Sequence, residues 1–157
     1  MKLAYKIIIL LVVCLGIGYF AGMVTQNSIE TWYTIIEKPS FNPPNWLFGP
    51  VWTLLYICIA VAGAIVWDKI DTHPLAKKGL LFFAIQLILN TLWSFLFFGL
   101  KNPSIALIEI ILLLLIIYET YILFSKINKF AGYLFIPYLL WVSFALFLNA
   151  SIWWLNR

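Results

Sequence analysis

Charged residues in this chain are confined to short intervals between long apolar stretches. Four stretches contain no Asp, Glu, Lys or Arg: residues 7–29, 39–67, 79–100 and 130–156. A fifth, residues 102–125, carries only Glu109 and Glu119. A helix needs roughly 20 mostly apolar residues to cross the hydrocarbon core of a bilayer, and each stretch is long enough. The pattern therefore predicts five transmembrane helices.

A helix bundle is the fold class that this pattern predicts. No stretch alternates polar and apolar residues as a strand of a transmembrane barrel would, and backbone in lipid must satisfy its own hydrogen bonds. We expect an all-α membrane protein, a five-helix bundle forming one domain over residues 1–157. The predicted helices span about 5–25, 46–68, 78–99, 103–125 and 131–155.

Composition agrees with a membrane location. Of the 157 residues, 64% are apolar and 10% are charged, and the mean hydropathy is +1.01, whereas a soluble domain is about half apolar and a quarter charged. The net charge of +4 comes from loop lysines, so we do not expect a nucleic-acid partner. The predicted partner is the lipid bilayer, and we expect a multi-pass protein of a bacterial cell membrane.

The distribution of basic residues predicts an orientation. Seven lysines fall on one side of the predicted bundle and three basic residues on the other. The positive-inside rule then places the N-terminus in the cytoplasm and the C-terminus outside.

The connection after the first helix, about residues 26–45, is the longest. Ile29, Trp32, Tyr33 and Ile36 have helical spacing and predict a short amphipathic helix. Residues 38–46 contain three prolines, and each disfavours helix at the preceding residue, so we expect an extended, stiff strap there. Long ordered loops are often functional.

Polar amides within the spans indicate which helix faces point inward. Gln86, Asn90 and Asn149 would be costly facing lipid, so we expect them in the interior. Trp52, Trp93 and Trp141 share these faces and lie too deep for an interfacial belt. These side chains predict either an aromatic cavity with a few polar groups, which is typical of a small-molecule site, or a packed core. Periodicity does not decide between the two.

Two further features carry expectations. Gly18 and Gly22 have a small-xxx-small spacing, which fits a homodimer face or close packing within the bundle, and we expect the second. Glu119 lies near a helix end, where it reaches the interface. Glu109 is about 10 Å deep, and we expect it to have an interior partner.

Signatures of ordinary enzymes are absent from the sequence. His73 is the only histidine and lies in a loop, so we expect no metal site and no cofactor. No glycine-rich phosphate loop occurs. Chemistry, if the chain performs any, would depend on aromatic side chains.

Several motifs resemble the signature of the TspO/translocator protein family, the tryptophan-rich sensory proteins related to the peripheral-type benzodiazepine receptor. They extend in order over four of the five predicted helices. They are Trp32-Tyr33, Lys38-Pro39-Ser40-Phe41-Asn42-Pro43-Pro44, Gly49-Pro50-Val51-Trp52-Thr53-Leu54-Leu55-Tyr56, Gln86-x-x-x-Asn90-x-x-Trp93, Phe97-Phe98-Gly99, Ile136-Pro137-Tyr138-Leu139-Leu140-Trp141-x-x-Phe144-Ala145 and Leu148-Asn149.

The resemblance implies a pocket under the first loop that binds porphyrins such as protoporphyrin IX, haem-type tetrapyrroles and related hydrophobic ligands. The implied ligand-binding residues are Trp32, Tyr33, Pro43, Trp52, Tyr56, Asn90, Trp93, Trp141 and Ala145. Ala150 and Ser151 stand where vertebrate members carry tyrosines of a sterol motif, so the resemblance does not imply sterol binding there.

Three functions are compatible with the sequence at this point. We expect a membrane receptor, sensor or translocator of tetrapyrroles. The first alternative is a light- and oxygen-dependent enzyme that degrades protoporphyrin, with Trp52 and Trp141 as the catalytic residues. The second is a membrane scaffold whose pocket is incidental, for which the Gly18 and Gly22 face would matter most.

Overall fold

The computed structural model describes all residues, 1–157, and contains helices and no strands. The helices are α1 (Leu3–Glu30), α2 (Trp32–Ile35), α3 (Phe48–Asp68), α4 (Ala76–Ser94), α5 (Pro103–Ile127) and α6 (Lys129–Leu155). A 3₁₀ turn, Asn45–Leu47, leads into α3, and a π-helical turn, Phe95–Gly99, continues α4. Five helices are long and apolar enough to cross a membrane, which confirms the predicted fold class.

The five long helices form a closed ring. Going round the ring, α1 packs on α3, α3 on α6, α6 on α5, α5 on α4, and α4 with its π turn returns to α1. Short connections explain part of this order. Asn128 alone separates α5 from α6 and caps α6, its side chain accepting from the Ala131 amide at 3.0 Å. Asn102 caps α5, its side chain accepting from the Ile105 amide at 3.2 Å, with Pro103 at the first helical position.

The predicted end of the first helix, near Thr25, is wrong, because α1 continues to Glu30. The polar run that suggested a loop is satisfied within the fold. The Thr25 hydroxyl donates to the Ala21 carbonyl at 3.0 Å, and the Ser28 hydroxyl donates to the carbonyl of Phe98. Ile29 therefore belongs to α1, and the predicted amphipathic helix is reduced to the single turn of α2.

The proline-rich connection, here called the strap (residues 36–44), is extended only in part. The Asn42 amide donates to the Pro39 carbonyl at 3.1 Å and closes a turn inside it. The Leu47 amide donates to the Pro44 carbonyl at 3.0 Å and starts the 3₁₀ turn. Asn45 and Trp46 are therefore not extended, because three consecutive residues after the last proline can already form a turn.

The two halves of the bundle are packed differently. Away from the strap, Phe83, Phe124 and Phe135 fill the centre, with ring centroids 5.0 to 6.3 Å apart, and Phe124 and Phe135 are fully buried. A Cβ added to Gly63 would lie 2.9 Å from the Phe83 ring. The half beneath the strap is instead hollow.

Candidate functional site

The hollow half contains a cavity of about 770 Å³, within the range of small-molecule sites, roughly 300–1,000 Å³. Its walls come from α1, α3, α6, the π turn and the end of α4, and the short segments beneath the strap. Helix α5 contributes none of the lining. The sequence did not decide between a cavity and a packed core, and the structure contains a cavity.

Aromatic rings form most of the walls. The indoles of Trp52 and Trp141 are half-buried, so part of each faces open space, whereas Trp93 is buried. The Phe48 ring meets the Trp141 ring edge to face at 6.3 Å, and the Phe97 ring stacks on the Trp93 ring at 5.2 Å. Such a surface favours a flat, apolar, polarisable ligand.

A buried polar chain holds the floor of the cavity in place. The Tyr56 hydroxyl donates to Asn90 Oδ1 at 3.3 Å, and Asn90 Nδ2 donates to the Tyr138 hydroxyl at 2.6 Å. The Tyr138 hydroxyl in turn donates to Gln86 Oε1 at 2.7 Å. Of these four side chains only Tyr56 lines the cavity. The chain joins α3, α4 and α6, so it positions the Tyr56 ring.

A second polar contact positions Trp93. Its indole N–H donates to Asn149 Oδ1 at 3.0 Å, and Asn149 Nδ2 donates to the Pro103 carbonyl at 2.9 Å. Gln86, Asn90 and Asn149 are at most 1% exposed, which confirms that the three amides point inward. Asn90 and Asn149 use both their oxygen and their nitrogen in these bonds, as buried amides usually do, whereas Gln86 uses only its oxygen and its Nε2 has no partner.

The strap closes over the cavity through Tyr33. Its hydroxyl donates to Asn42 Oδ1 at 2.6 Å, and its carbonyl accepts from Lys38 Nζ at 2.6 Å. At the start of the strap, the Glu37 amide donates to Asn156 Oδ1 at 3.0 Å, and Asn156 Nδ2 donates to the Glu37 carbonyl at 2.8 Å. These bonds tie the strap to the ends of α2 and α6.

The cavity lining has one charged side chain, the exposed carboxylate of Glu30 at the mouth, and no Lys, Arg or His. Gln26 Nε2 donates to Glu30 Oε1 at 2.6 Å. No group of three or more His, Cys, Asp or Glu side chains could hold a metal ion. The interior is therefore suited to uncharged parts of a ligand.

The structure brings six of the nine sequence-derived ligand-binding residues to the cavity and leaves three outside it. Those on the lining are Tyr33, Trp52, Tyr56, Trp93, Trp141 and Ala145. Trp32 packs on the Phe97 ring at 5.6 Å, Asn90 supports Tyr56 from behind, and Pro43 lies in the strap.

The sequence did not indicate that α1 lines the cavity. Gly18, Ala21, Gly22 and Thr25 all do so, and their small side chains at steps of three and four residues were the available signal. Close packing was expected for both glycines but holds only for Gly18. A Cβ added there would lie 2.7 Å from the Tyr56 ring, whereas one added to Gly22 would have nothing within 4 Å.

The expected partner of Glu109 is not there. Glu109 is 7% exposed, and neither oxygen of its carboxyl has a hydrogen-bond partner. The residue lies on α5, which stays outside the cavity wall. We expected a partner because a carboxyl group deep in the membrane is costly unless it is paired, but the Glu109 carboxyl is buried without one. Glu119 is exposed on the same helix.

Together, a ring of five helices long and apolar enough to cross a membrane and an aromatic cavity inside that ring define a multi-pass membrane protein with an internal cavity. The chain belongs to the TspO/MBR family, whose pattern it matches over residues 8–155. Relatives include the tryptophan-rich protein TspO of Chlorobaculum tepidum, 43% identical over 91% of this chain and 90% of that protein.

Other relatives extend the similarity beyond bacteria. The tryptophan-rich protein TspO of Archaeoglobus fulgidus is 42% identical over 96% of this chain and 97% of that protein. The human translocator protein is 32% identical over 88% of this chain and 83% of that protein. The family pattern, residues 8–155, includes every residue that lines the cavity.

Proposed function

We propose that this protein is a membrane receptor or translocator that binds tetrapyrroles, protoporphyrin IX and haem-type molecules, in the cavity beneath the strap. The observation that carries the proposal is a cavity of about 770 Å³ walled in part by Trp52, Trp93 and Trp141. A flat, conjugated macrocycle would stack on these indoles. The names of relatives, translocator protein and tryptophan-rich sensory protein, support transport or sensing as the class of function.

The absence of basic groups on the lining constrains how such a ligand sits. The two carboxylates of protoporphyrin would be poorly accommodated in an apolar interior without a cation. We expect the macrocycle to lie among the indoles and the carboxylates to stay at the mouth, in contact with water.

The test is a titration of the purified protein with protoporphyrin IX in the dark, followed by tryptophan fluorescence. We expect saturable quenching. Trp141→Ala should weaken binding by up to about tenfold, because an aromatic contact contributes about 0.5–1.5 kcal/mol beyond its buried area. Trp154→Ala is the matched control, since Trp154 is 57% exposed and lies outside the cavity.

Two results would count against the proposal. Without saturable quenching at low micromolar porphyrin, the tetrapyrrole assignment fails and a scaffold becomes the better account. Equal losses from Trp141→Ala and Trp154→Ala would place binding outside the cavity.

The half-buried indoles of Trp52 and Trp141 support a second candidate function, light- and oxygen-dependent degradation of the bound porphyrin. Both indoles are partly open to the cavity, where an excited porphyrin and dissolved oxygen could reach them. Under illumination in air, this function predicts loss of the porphyrin Soret band that Trp52→Phe and Trp141→Phe abolish while dark binding persists. A stable Soret band in the illuminated wild-type complex excludes it.

A further inference from the structure

Helices α1 and α3 pack antiparallel in a constant register over the half of the bundle away from the strap. Lys6 Nζ contacts Asp68 Oδ1 at 2.8 Å. Gly18 lies twelve residues after Lys6 on α1, and Tyr56 lies twelve residues before Asp68 on α3. These two residues are also in contact, because a Cβ added to Gly18 would lie 2.7 Å from the Tyr56 ring. The two helices are therefore in close contact from the ion pair as far as Gly18.

The contact stops one helical turn beyond Gly18. The same register places Gly22 opposite Trp52, yet a Cβ added to Gly22 would have nothing within 4 Å. On the facing helix, a Cβ added to Gly49 would also have nothing within 4 Å. Small residues that let two helices pack closely are normally in contact with the partner helix. Gly22 and Gly49 have no such contact, so they do not serve to pack α1 against α3.

The cavity reaches the outer surface of the bundle at this place. Its lining includes Tyr19 and Met23 of α1, which are 68% and 55% exposed. It also includes Gly49 and Thr53 of α3, which are exposed and lie one turn apart. Because these lining residues are also exposed on the surface of α1 and α3, the cavity opens between the two helices.

This opening extends from the first turn of α3, which contains Gly49, into the membrane interior. Gly22 lies eight residues before the end of α1 at Glu30, which is about 12 Å at a rise of 1.5 Å per residue. That depth is within the hydrocarbon region of a helix that spans the bilayer. The mouth beside Glu30 and the strap lies at the end of the bundle, whereas this second opening lies on the side of the bundle, between α1 and α3.

We propose that the α1–α3 opening, bounded by Gly22 and Met23 on α1 and by Gly49 and Thr53 on α3, is the entrance through which ligands dissolved in the bilayer reach the cavity. The proposal rests on the proposed function for the identity of the ligand, and it adds a route and a ligand class. Molecules that use this route are flat, aromatic and uncharged where they pass, because the opening is lined without a cation and borders hydrocarbon.

The glycines of α1 provide a matched pair of variants. Gly22→Leu fills the opening from one side. Gly16→Leu places the same side chain on the same helix, at a glycine whose added Cβ would also have nothing within 4 Å and which lies outside the lining. Thr53→Trp, on the opposite edge, is a second way to fill the opening if Gly22→Leu proves poorly folded.

The experiment measures binding rates in vesicles. Protein reconstituted in phosphatidylcholine vesicles is mixed with vesicles preloaded with protoporphyrin IX dimethyl ester, which is uncharged and stays in the membrane, and tryptophan quenching is followed by stopped flow. Filling an entrance raises the barrier in both directions. We therefore expect Gly22→Leu and Thr53→Trp to slow association and dissociation together, at least tenfold each, with a smaller change in Kd, and Gly16→Leu to match the unmodified protein.

Unchanged rates in both filling variants would overturn the proposal, as would an effect limited to faster dissociation, which indicates a lost pocket contact. If the unmodified protein binds no porphyrin, the proposed function fails, and a second readout decides the entrance separately. A lipid with a diazirine in its acyl chain should label Trp52 in the unmodified and Gly16→Leu proteins but not in Gly22→Leu. Absence of that label from all three would show that acyl chains do not reach the opening.

Discussion

At the scale of single residues, Glu30 is the one charged side chain on the cavity lining, and it is acidic. A carboxylate at the mouth repels the carboxylates of a bound porphyrin. We predict that Glu30→Gln strengthens binding of dianionic protoporphyrin IX a few-fold and leaves binding of the uncharged dimethyl ester unchanged. The measurement is a pair of fluorescence titrations at low ionic strength, because salt screens exposed charges.

Glu37 provides the control for Glu30. It is also an exposed acid near the strap end, but it does not line the cavity. Glu37→Gln should therefore alter protoporphyrin affinity less than Glu30→Gln. If the two variants behave alike, the net charge of the protein matters and the position of Glu30 does not.

Asn90 illustrates what residue patterns could and could not predict at this scale. Its inward direction followed from the cost of an amide in lipid, and the structure confirms it. Its position relative to the cavity did not follow, because Tyr56 and Tyr138 cover it and bond to it. A helical face specifies direction, but which of two stacked side chains meets the open space depends on their lengths and on the neighbouring helix.

At the scale of elements, α1 departs most from the sequence-based prediction. Its length was underestimated because polar residues near its end were assigned to a loop, whereas contacts with the π turn and with its own backbone satisfy them. Such contacts come from other parts of the chain and leave no local pattern. The start of α5 agrees with the predicted residue, because Asn102-Pro103 is a local capping signal. Helix α6 begins two residues before its predicted start, because Asn128 caps it within what was expected to be a turn.

The glycines of α1 yield a prediction about this element. Gly18→Leu forces the new side chain against the Tyr56 ring, since even a Cβ would lie 2.7 Å from it. We expect lower thermal stability in detergent, by about 1–3 kcal/mol for overpacking, and weaker porphyrin binding because Tyr56 lines the cavity. Gly16→Leu, with no neighbour within 4 Å, should leave both properties unchanged.

A result in which Gly16→Leu is as damaging as Gly18→Leu would show that the side of α1 that carries Gly16 is also a contact surface. Equal tolerance of both variants would instead show that α1 moves away from α3 without cost. Only greater damage from Gly18→Leu than from Gly16→Leu supports the observed packing of α1 against α3.

At the scale of the whole molecule, the bundle has a hollow half and a solid half. The half beneath the strap contains the cavity, and the other half is packed around Phe83, Phe124 and Phe135. Packing is the main source of cohesion between helices in a membrane, because lipid chains are as apolar as the side chains they would replace. The solid half should therefore carry the stability that lets the strap half remain hollow.

Phe124→Ala tests this division. Phe124 is fully buried on α5, which does not line the cavity. The change leaves a void of roughly 100 Å³, and at about 24 cal/mol per Å³ the cost is on the order of 2 kcal/mol. We expect a lower thermal midpoint in detergent and an unchanged Kd for protoporphyrin IX, measured at a temperature well below that midpoint.

Two variants serve as controls. Phe97→Ala, at a buried residue that lines the cavity, should change the Kd. Phe130→Ala, at a 58% exposed residue, should change neither the thermal midpoint nor the Kd. A large loss of affinity in Phe124→Ala would mean that the two halves are coupled, so that the packing of the solid half sets the shape of the cavity.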